Sequence, residues 1–479
     1  MSAPPLPVAG SRRGLGALEA QRLIDGLALR LSPAVAAGAI AYSHMGSLGD
    51  GLVVFVSMLA AFQLIERSHL PVHLMPASRI VLGLAAPVLG GGIAWMIAGA
   101  AGGGYPLSQY EAIVLGAWLV MALGAWIKAW LMDGVRARAV VIGSREVAAD
   151  LAAELAANGV EAYEVVGWLG HQGPTEYRRL RWFGGLDDVR STVLSEGLDL
   201  LICAPSSTDS EGDSLDDVCA WVADQCVDLP VRMIAAHQLY EETFGHVPLG
   251  TIDAAWYRYI MHPNFRAASP LSKRLFDLVV GGAIALVWLP VLALAALAVR
   301  LDDRGPVFYR QRRLGEHGQA FDMIKLRTMR IDAEPEGPRW AEAGDARVTR
   351  IGRLLRRTHV DEIPQLWNVL RGEMTLVGPR PERPEIVAEL ERKFPHYTRR
   401  QLVKPGIAGW AALRCGYAGS DLGAAWKLCH DLFYVKRRSL LTDTLILAET
   451  VVEVFRDAHR ALRTPGERFL IGEEPNPNG

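Results

Sequence analysis

Two adjacent acids among arginines are the residues of this chain best suited to chemistry. They lie in the stretch Arg350 to Pro381, RIGRLLRRTHVDEIPQLWNVLRGEMTLVGPRP. Asp361 and Glu362 stand side by side, Arg350, Arg353, Arg356 and Arg357 precede them at helical spacing, and Arg380 follows in the turn Gly378-Pro379-Arg380-Pro381. Carboxylates can hold a divalent cation or attack phosphorus, and guanidinium groups neutralise phosphate oxygens. The pattern points to chemistry on phosphates. A charge run is more often a solvated surface helix. Here prolines pin the backbone beside the acids, at Pro364, and around Arg380, which a solvated face does not need.

Several elements are expected to hold these residues. Phe321 to Met329 alternates as a strand does, with Lys325 and Arg327 on one face. Lys404 leads a turn, Lys404-Pro405-Gly406-Ile407-Ala408-Gly409-Trp410. A helix is predicted over Ala424–Arg438, with Asp431, Tyr434, Lys436 and Arg437 near its end, and Ser439 opens another reaching about Phe455. Trp340–Val348 reads as a loop, and the residues after Arg463, rich in Pro and Gly, as a loose tail.

The whole chain sets the frame. Its 479 residues exceed one domain. A net charge of −2 offers nucleic acid no bulk attraction. Half the residues are hydrophobic, yet 21% are charged, a mixture expected of membrane segments joined to soluble domains. The five cysteines form no C-x-x-C pair, which fits a reduced, cytosol-facing setting without a zinc site or disulfide framework. No secretory-signal pattern stands near Met1, so the first apolar segment is expected to be retained.

Residues 1–30 read as a cytosolic lead-in. Four apolar segments follow, Leu31–Met45, Leu52–Ile65, Ile80–Ala101 and Ala112–Met132, and are predicted to form a transmembrane bundle over 31–134. Lys and Arg flank the outer ends and the second loop but are missing from Gly46–Gly51 and Gly102–Tyr110, which puts both bundle ends in the cytosol. Over 137–262 strands are predicted at Ala139–Ile142, Glu164–Leu169, Leu198–Ile202 and Pro230–Ile234, with helices at Glu146–Asn158 and Leu215–Gln225. This alternation predicts a doubly wound, Rossmann-like parallel sheet. Its first turn, Gly143-Ser144-Arg145-Glu146-Val147-Ala148, lacks the second and third glycines of G-x-G-x-x-G, and Gly170-His171 stands where a ribose-binding acid belongs. A structural or regulatory role is favoured over NAD binding. Leu278–Val299 is uncharged and long enough to span, but cations flank both ends and Pro290 interrupts it. A helix that enters the membrane, bends at Pro290 and returns to the same face is expected.

From Ser272 to about Val454 the chain resembles the bacterial sugar transferase family, the polyprenyl-phosphate hexose-1-phosphate transferases. The resemblance rests on SKRLFDLVVGG, GPVFYRQRRLGEHGQAFDMIKLRTM, the acid-bearing stretch itself, KPGIAGWA and HDLFYVKRRSLLTD. The N-terminal part resembles the large subclass, with a four-helix membrane bundle and a Rossmann-like domain. The resemblance implies a monotopic α/β catalytic domain over 270–460, on the cytosolic face of the bacterial inner membrane, followed by a flexible tail over 461–479. It implies transfer of hexose-1-phosphate from a UDP-sugar, glucose or galactose, to undecaprenyl phosphate, with release of UMP. Such transfer initiates exopolysaccharide, capsule or O-antigen synthesis. Asp361 matches the family's nucleophile and Glu362 its partner. Mg²⁺ is required, held by Asp361, Glu362 or both. Lys325, Arg327, Arg356, Arg380 and Lys404 are expected on substrate phosphates. A homodimer through the bundle or the Rossmann-like domain is expected. The chain departs from many relatives in having Leu289, not serine, before Pro290, and its Rossmann-like turn lacks glycines that some relatives retain. Two other readings compete: a membrane-anchored NAD-dependent nucleotide-sugar oxidoreductase or epimerase, which the broken glycine pattern disfavours, and a non-enzymatic membrane scaffold, which the acid pair disfavours.

Overall fold

Contacts within the chain divide a computed structural model of the protein into two compact units, the described residues to Phe244 forming one and those from Gly245 the other. The structure describes residues 27–45, 47–66, 87–88, 90–97, 107–131, 136–158, 160, 162–170, 176–204, 215–249, 252, 256–257, 270–303, 305–330, 347–394, 396–415 and 421–455. The expected lead-in before residue 27, both ends of the expected 80–101 segment, most of the 340–348 loop and the tail beyond 455 lie outside the described residues.

In the first unit, helices α1 (Ser32–Met45), α2 (Leu48–Glu66) and α3 (Leu107–Leu131) fall in three of the four predicted apolar segments, and residues 90–97 of the remaining one are also helical. Ala34, Ala37 and Ala41 of α1 share a buried cluster with Val54, Met58 and Phe62 of α2, Ala94, and Ile113 and Ala117 of α3. Small residues bring α1 and α2 close: a Cβ added to Gly38 would lie 2.9 Å from the Gly51 carbonyl oxygen. The outward side of α3 exposes Leu115, Leu119, Leu123, Trp126 and Trp130. Residues Gln109–Lys128 are long and apolar enough to cross a bilayer.

The same unit holds β1 (Ala137–Gly143), α4 (Arg145–Ala157), β2 (Tyr163–Leu169), β3 (Glu176–Tyr177), β4 (Leu180–Trp182), α5 (Val189–Glu196), β5 (Leu200–Ala204), α6 (Leu215–Cys226), β6 (Arg232–Ala235) and α7 (Ala236–Phe244). The sheet order is β3-β4-β2-β1-β5-β6, and every neighbouring pair is parallel except β3 with β4. β5 is buried throughout and β1 nearly so, as both-sided cover by helices demands. The parallel α/β pattern matches the sequence reading. The small β3–β4 hairpin went unpredicted, because its two-residue loop is Arg178-Arg179, both at positive φ, where turn chemistry favours Asn and Gly.

The second unit opens its helices with α8 (Pro270–Asp303), 34 residues that stay helical through Pro290. An antiparallel hairpin follows, β7 (Phe308–Leu314) with β8 (Ala320–Leu326). Then come α9 (Arg350–Arg357), α10 (Gln365–Arg371), β9 (Thr375–Val377), α11 (Pro384–Lys393), β10 (Gly406–Ala408), α12 (Trp410–Cys415), α13 (Asp421–Arg437) and α14 (Leu440–Phe455). β9 and β10 form a short parallel pair. The predicted 321–329 strand ends at Leu326; Met329 instead bridges to Val348. Gly245 and Tyr257 join this unit: Trp410 Nε1 donates to Gly245 O, and Tyr257 OH bonds His396 Nδ1 at 3.0 Å. All five cysteines are free thiols.

Both ends of α8 pack on this one unit. Near its start, Arg274 donates to the carbonyls of Val369 and Leu370 at 2.6 Å, and Asp277 accepts from Thr375 Oγ1 and from Leu376 N. Towards its end, Ala295 and Val299 are buried with Leu326, Leu355 and Val360, with Leu292 packed alongside. Between Gly281, which abuts Val369 and Leu376, and Leu292, the side chains of Leu286, Val287 and Leu289 are exposed. By length and composition Pro270–Asp302 is apolar enough to cross a bilayer, and large apolar side chains stay exposed along it from Leu271 to Leu301.

Candidate active site

The acid pair sits in a single 3-10 turn, Val360–Glu362, between two helices. α9 starts because Thr349 caps it, its Oγ1 accepting from Gly352 N at 2.9 Å. Gly352 is needed there: a Cβ would fall 2.1 Å from the Thr328 carbonyl oxygen. α9 stops at His359, which adopts φ 56°, a left-handed conformation that costs a non-glycine residue and recurs at functional sites. That reversal turns Asp361 and Glu362 inward, while Pro364 starts α10. Val360 anchors the turn in the cluster at the end of α8.

β8 brings a cation to the pair. Asn368 of α10 clamps that strand, accepting from Ile324 N at 3.1 Å and donating to Asp322 O at 2.8 Å. Lys325 Nζ then reaches Glu362 Oε1 at 2.7 Å. Arg380 arrives from the far side, its Nη2 at 2.5 Å from Glu362 Oε1 and its Nη1 at 3.3 Å from Oε2. The turn carrying Arg380 is fastened to the β10 strand by Gly378 N to Ala408 O at 2.9 Å and Gly406 N to Pro379 O at 3.0 Å. Gly378 and Gly406 permit this backbone contact, since a Cβ on Gly406 would lie 2.0 Å from Gly378 N.

The two acids therefore differ. Burial by itself would raise the Glu362 pKa, but the charges and hydrogen bonds of Arg380 and Lys325 outweigh it and hold the carboxyl well below its usual range. Both its oxygens are engaged. Asp361 is 7% exposed, and its carboxylate has no hydrogen bond or ion pair among the described residues. Burial, reinforced by the neighbouring Glu362 charge, raises its pKa, with Lys325, Arg356 and His359 acting in the opposite direction. Burial likewise lowers Lys325, against the pull of Glu362. Arg380 is raised by Glu362, although 48% of its side chain stays open to solvent and so available to an incoming anion.

The other residues expected on phosphates fall in different places. Arg356 donates from Nε to Thr328 Oγ1 at 2.9 Å, with its charge felt at Asp361. Arg327 lies beyond the end of β8 and is buried against Gly305, where an added Cβ would meet its guanidinium. The strand ends one residue too early to keep it on the Lys325 face. Lys404 is half-buried beside Gly378 and forms no ion pair among the described residues. Arg350, Arg353 and Arg357 are exposed on α9.

Comparison with known proteins bears on this geometry. A family model described as bacterial sugar transferase matches residues 268–457, which contain the whole acid-and-cation cluster. A UDP-glucose:undecaprenyl-phosphate glucose-1-phosphate transferase of Caulobacter vibrioides is 39% identical over 191 residues, covering 40% of this chain and 72% of the relative. The chain belongs to the bacterial sugar transferase family. An exopolysaccharide production protein, PSS, of Rhizobium leguminosarum bv. phaseoli is 39% identical over 186 residues, 38% of this chain and 93% of the relative. A UDP-N-acetylgalactosamine-undecaprenyl-phosphate N-acetylgalactosaminephosphotransferase of Aeromonas hydrophila is 38% identical over 179 residues, 37% of this chain, but the match spans only 42% of that relative.

In this family member the geometry gives roles to residues to which local sequence reading assigned none. Arg313 donates to Pro381 O at 3.0 Å and pairs with Glu382 at 3.3 Å. Tyr434 OH lies 2.8 Å from both Val377 O and Asp443 Oδ1, its one proton shared between them, and Lys273 Nζ sits 2.7 Å from Asp443 Oδ2. Charged residues at buried helix positions, such as Asp431 within HDLFYV, are the signal that could have exposed them.

Proposed function

We propose that the chain transfers hexose-1-phosphate from a UDP-sugar to undecaprenyl phosphate through a covalent aspartyl intermediate. One observation carries this reading: Asp361 is a buried carboxylate without a partner, beside a Glu362 already saturated by Lys325 and Arg380. A free Asp361 oxygen attacks the phosphorus that bears the sugar, the bond to the α-phosphate breaks, and UMP leaves with the electron pair. An oxygen of the lipid phosphate then attacks the same phosphorus. Asp361 is released, leaving lipid diphosphate-sugar. Two displacements keep two mutually repelling anionic substrates from having to meet at once. Glu362 holds Lys325 and Arg380 poised where the transferring phosphoryl oxygens collect charge.

Among the described residues no three His, Cys, Asp or Glu side chains gather at one place. The open Asp361 carboxylate would hold a Mg²⁺ ion, whereas the oxygens of Glu362 are taken. When bound, the ion offsets diphosphate charge. Treatment with a chelator should remove activity, and added Mg²⁺ should restore it.

The packing of both α8 ends on one unit supports a re-entrant helix, bent at Pro290, with the catalytic unit on the cytosolic face of the inner membrane. The apolar outward face of α3 and the shared cluster of the four N-terminal segments support a multi-pass bundle, followed by a Rossmann-like domain. A dimer is part of this reading. Cysteines introduced at Leu271 and Asp302 should label from the same side of sealed vesicles; labelling from opposite sides would defeat re-entry.

The decisive experiment incubates the protein with UDP-sugar alone. About one equivalent of UMP should appear before any lipid phosphate is added. UMP that appears only with both substrates present rules out the covalent intermediate. The named relatives act on glucose and on N-acetylgalactosamine, so a panel of UDP-sugars, beginning with UDP-glucose and UDP-galactose, identifies the hexose.

A further inference from the structure

The turn bearing Arg380 is held carbonyl by carbonyl, and one of the holders is a buried ion pair with no part in the displacement chemistry. Val377 O accepts from Tyr434, Pro379 O from Gly406 N, and Pro381 O from Arg313. The remaining grip falls on Arg380 itself: Arg400 Nη2 donates to Arg380 O at 2.8 Å. Arg400 lies in the 3-10 segment Tyr397–Leu402. Its Nε donates to Asp431 Oδ2 of α13 at 2.9 Å, its Nη2 lies 2.7 Å from the same oxygen, and its Nη1 donates to Tyr397 OH at 3.0 Å. The two charged side chains are 7% and 2% exposed.

Burying such a pair is a poor route to stability, because apolar groups of the same volume usually serve as well. Burial opposes the Arg400 charge, which is restored because Asp431 faces it, and burial raises Asp431. What a guanidinium offers that an apolar group does not is several N–H groups in a rigid fork. Here the fork ties α13, through Asp431, to the backbone of the one substrate-facing arginine whose side chain is half open. We propose that Arg400, oriented by Asp431, is a positioning residue that fixes the Arg380 backbone, so that the Arg380 side chain meets Glu362 and the substrate diphosphate in a single geometry. The proposal rests on the phosphosugar transfer described above. Small displacements of such a group are costly, since a shift of about 1 Å can cost about a hundredfold in rate.

The test is a double-mutant cycle on the full-length chain, with Arg400→Lys, Arg380→Lys and the double variant. Arg400→Lys keeps a charge opposite Asp431, but one ammonium cannot serve Asp431, Tyr397 and Arg380 O together. It should lower kcat/KM for the UDP-sugar about tenfold or more in the wild-type background. In the Arg380→Lys background the further loss should be less than about threefold. Equal losses in both backgrounds, which general loosening of the fold would produce, overturn the proposal, as does an undiminished Arg400→Lys enzyme. Should Arg400→Lys fail to fold, the charge-free pair Arg400→Gln with Asp431→Asn enters the same cycle. UDP affinity, measured by calorimetry, supplies a readout without turnover. Coupling in UDP binding without sugar transfer retains the positioning role and defeats the transfer reading; a protein that binds no UDP defeats both.

Discussion

Glu362 in the second unit and Asp228 in the first each receive short hydrogen bonds from cations. Lys325 and Arg380 reach Glu362 at 2.7 and 2.5 Å, and Arg190 grips both Asp228 oxygens at 2.7 Å. Bond length does not separate them. The Glu362 side chain is 15% exposed and the Asp228 side chain 58%. Water screens the exposed pair, which is worth little. Glu362 is largely shielded from water and is held ionised by both cations, and beside it stands Asp361, whose carboxylate makes no hydrogen bond or ion pair among the described residues. In the proposed reading, a paired acid and an unpaired one share a single buried turn.

The strongest way to break this contrast is Asp361→Asn. It should cut transfer at least about 10³-fold while the melting temperature stays within a few degrees, because it removes a buried carboxylate that nothing pairs. Retained turnover would strip Asp361 of its role. Arg380→Ala or Lys325→Ala should cost about 10²- to 10³-fold in kcat/KM, the usual loss of a charge that stabilises a transition state. A loss as small as that of a surface arginine would place both residues outside the site. The acid limb of the pH profile sharpens the comparison. Asp361 must be ionised to attack, and its pKa is raised by burial and by Glu362. Activity should therefore fall on acidification at a pH above the ordinary aspartate value of about 3.9, and Arg356→Ala should move that limb higher still.

A buried acid in the first unit gives a smaller, purely structural effect. Burial pushes Glu154 up to about 7, against a hydrogen bond with Tyr240. Its folded pKa exceeds its unfolded one, so the native state holds the proton more tightly, and stability falls as pH rises from about 4.5 to about 7. Glu154→Gln should stabilise the protein by about 3 kcal/mol at pH 8 and by almost nothing at pH 4, read from denaturant midpoints. A gain independent of pH would contradict the burial argument. The smallest effect belongs to Arg190→Ala, which should leave both activity and melting temperature at their wild-type values.

Much of the architecture was legible along the chain. Periodicity located α4, α6, α9, α13 and the strands β1, β2, β5 and β6 to within a few residues, because helices and buried parallel strands write their burial into local pattern. Two pieces escaped. β7 exposes four of its seven residues and so lacks a clear apolar alternation. β9 and β10 are three-residue strands whose pairing depends on Gly378 and Gly406 meeting across the fold. Lys325 and Arg327 were expected together, but the early end of β8 sent Arg327 to Gly305.

By itself the sequence determined which side chains could act: two neighbouring acids, a lysine on a strand and an arginine locked between prolines. It also determined the apolar lengths that seek a membrane, since residue type and spacing are local properties. The tertiary structure decided the division of labour. It brought Lys325 and Arg380 onto Glu362 rather than Asp361, and it set Arg400 behind the Arg380 carbonyl. Those choices depend on desolvation and on contacts between residues far apart in the chain, and neither exists until the chain has folded.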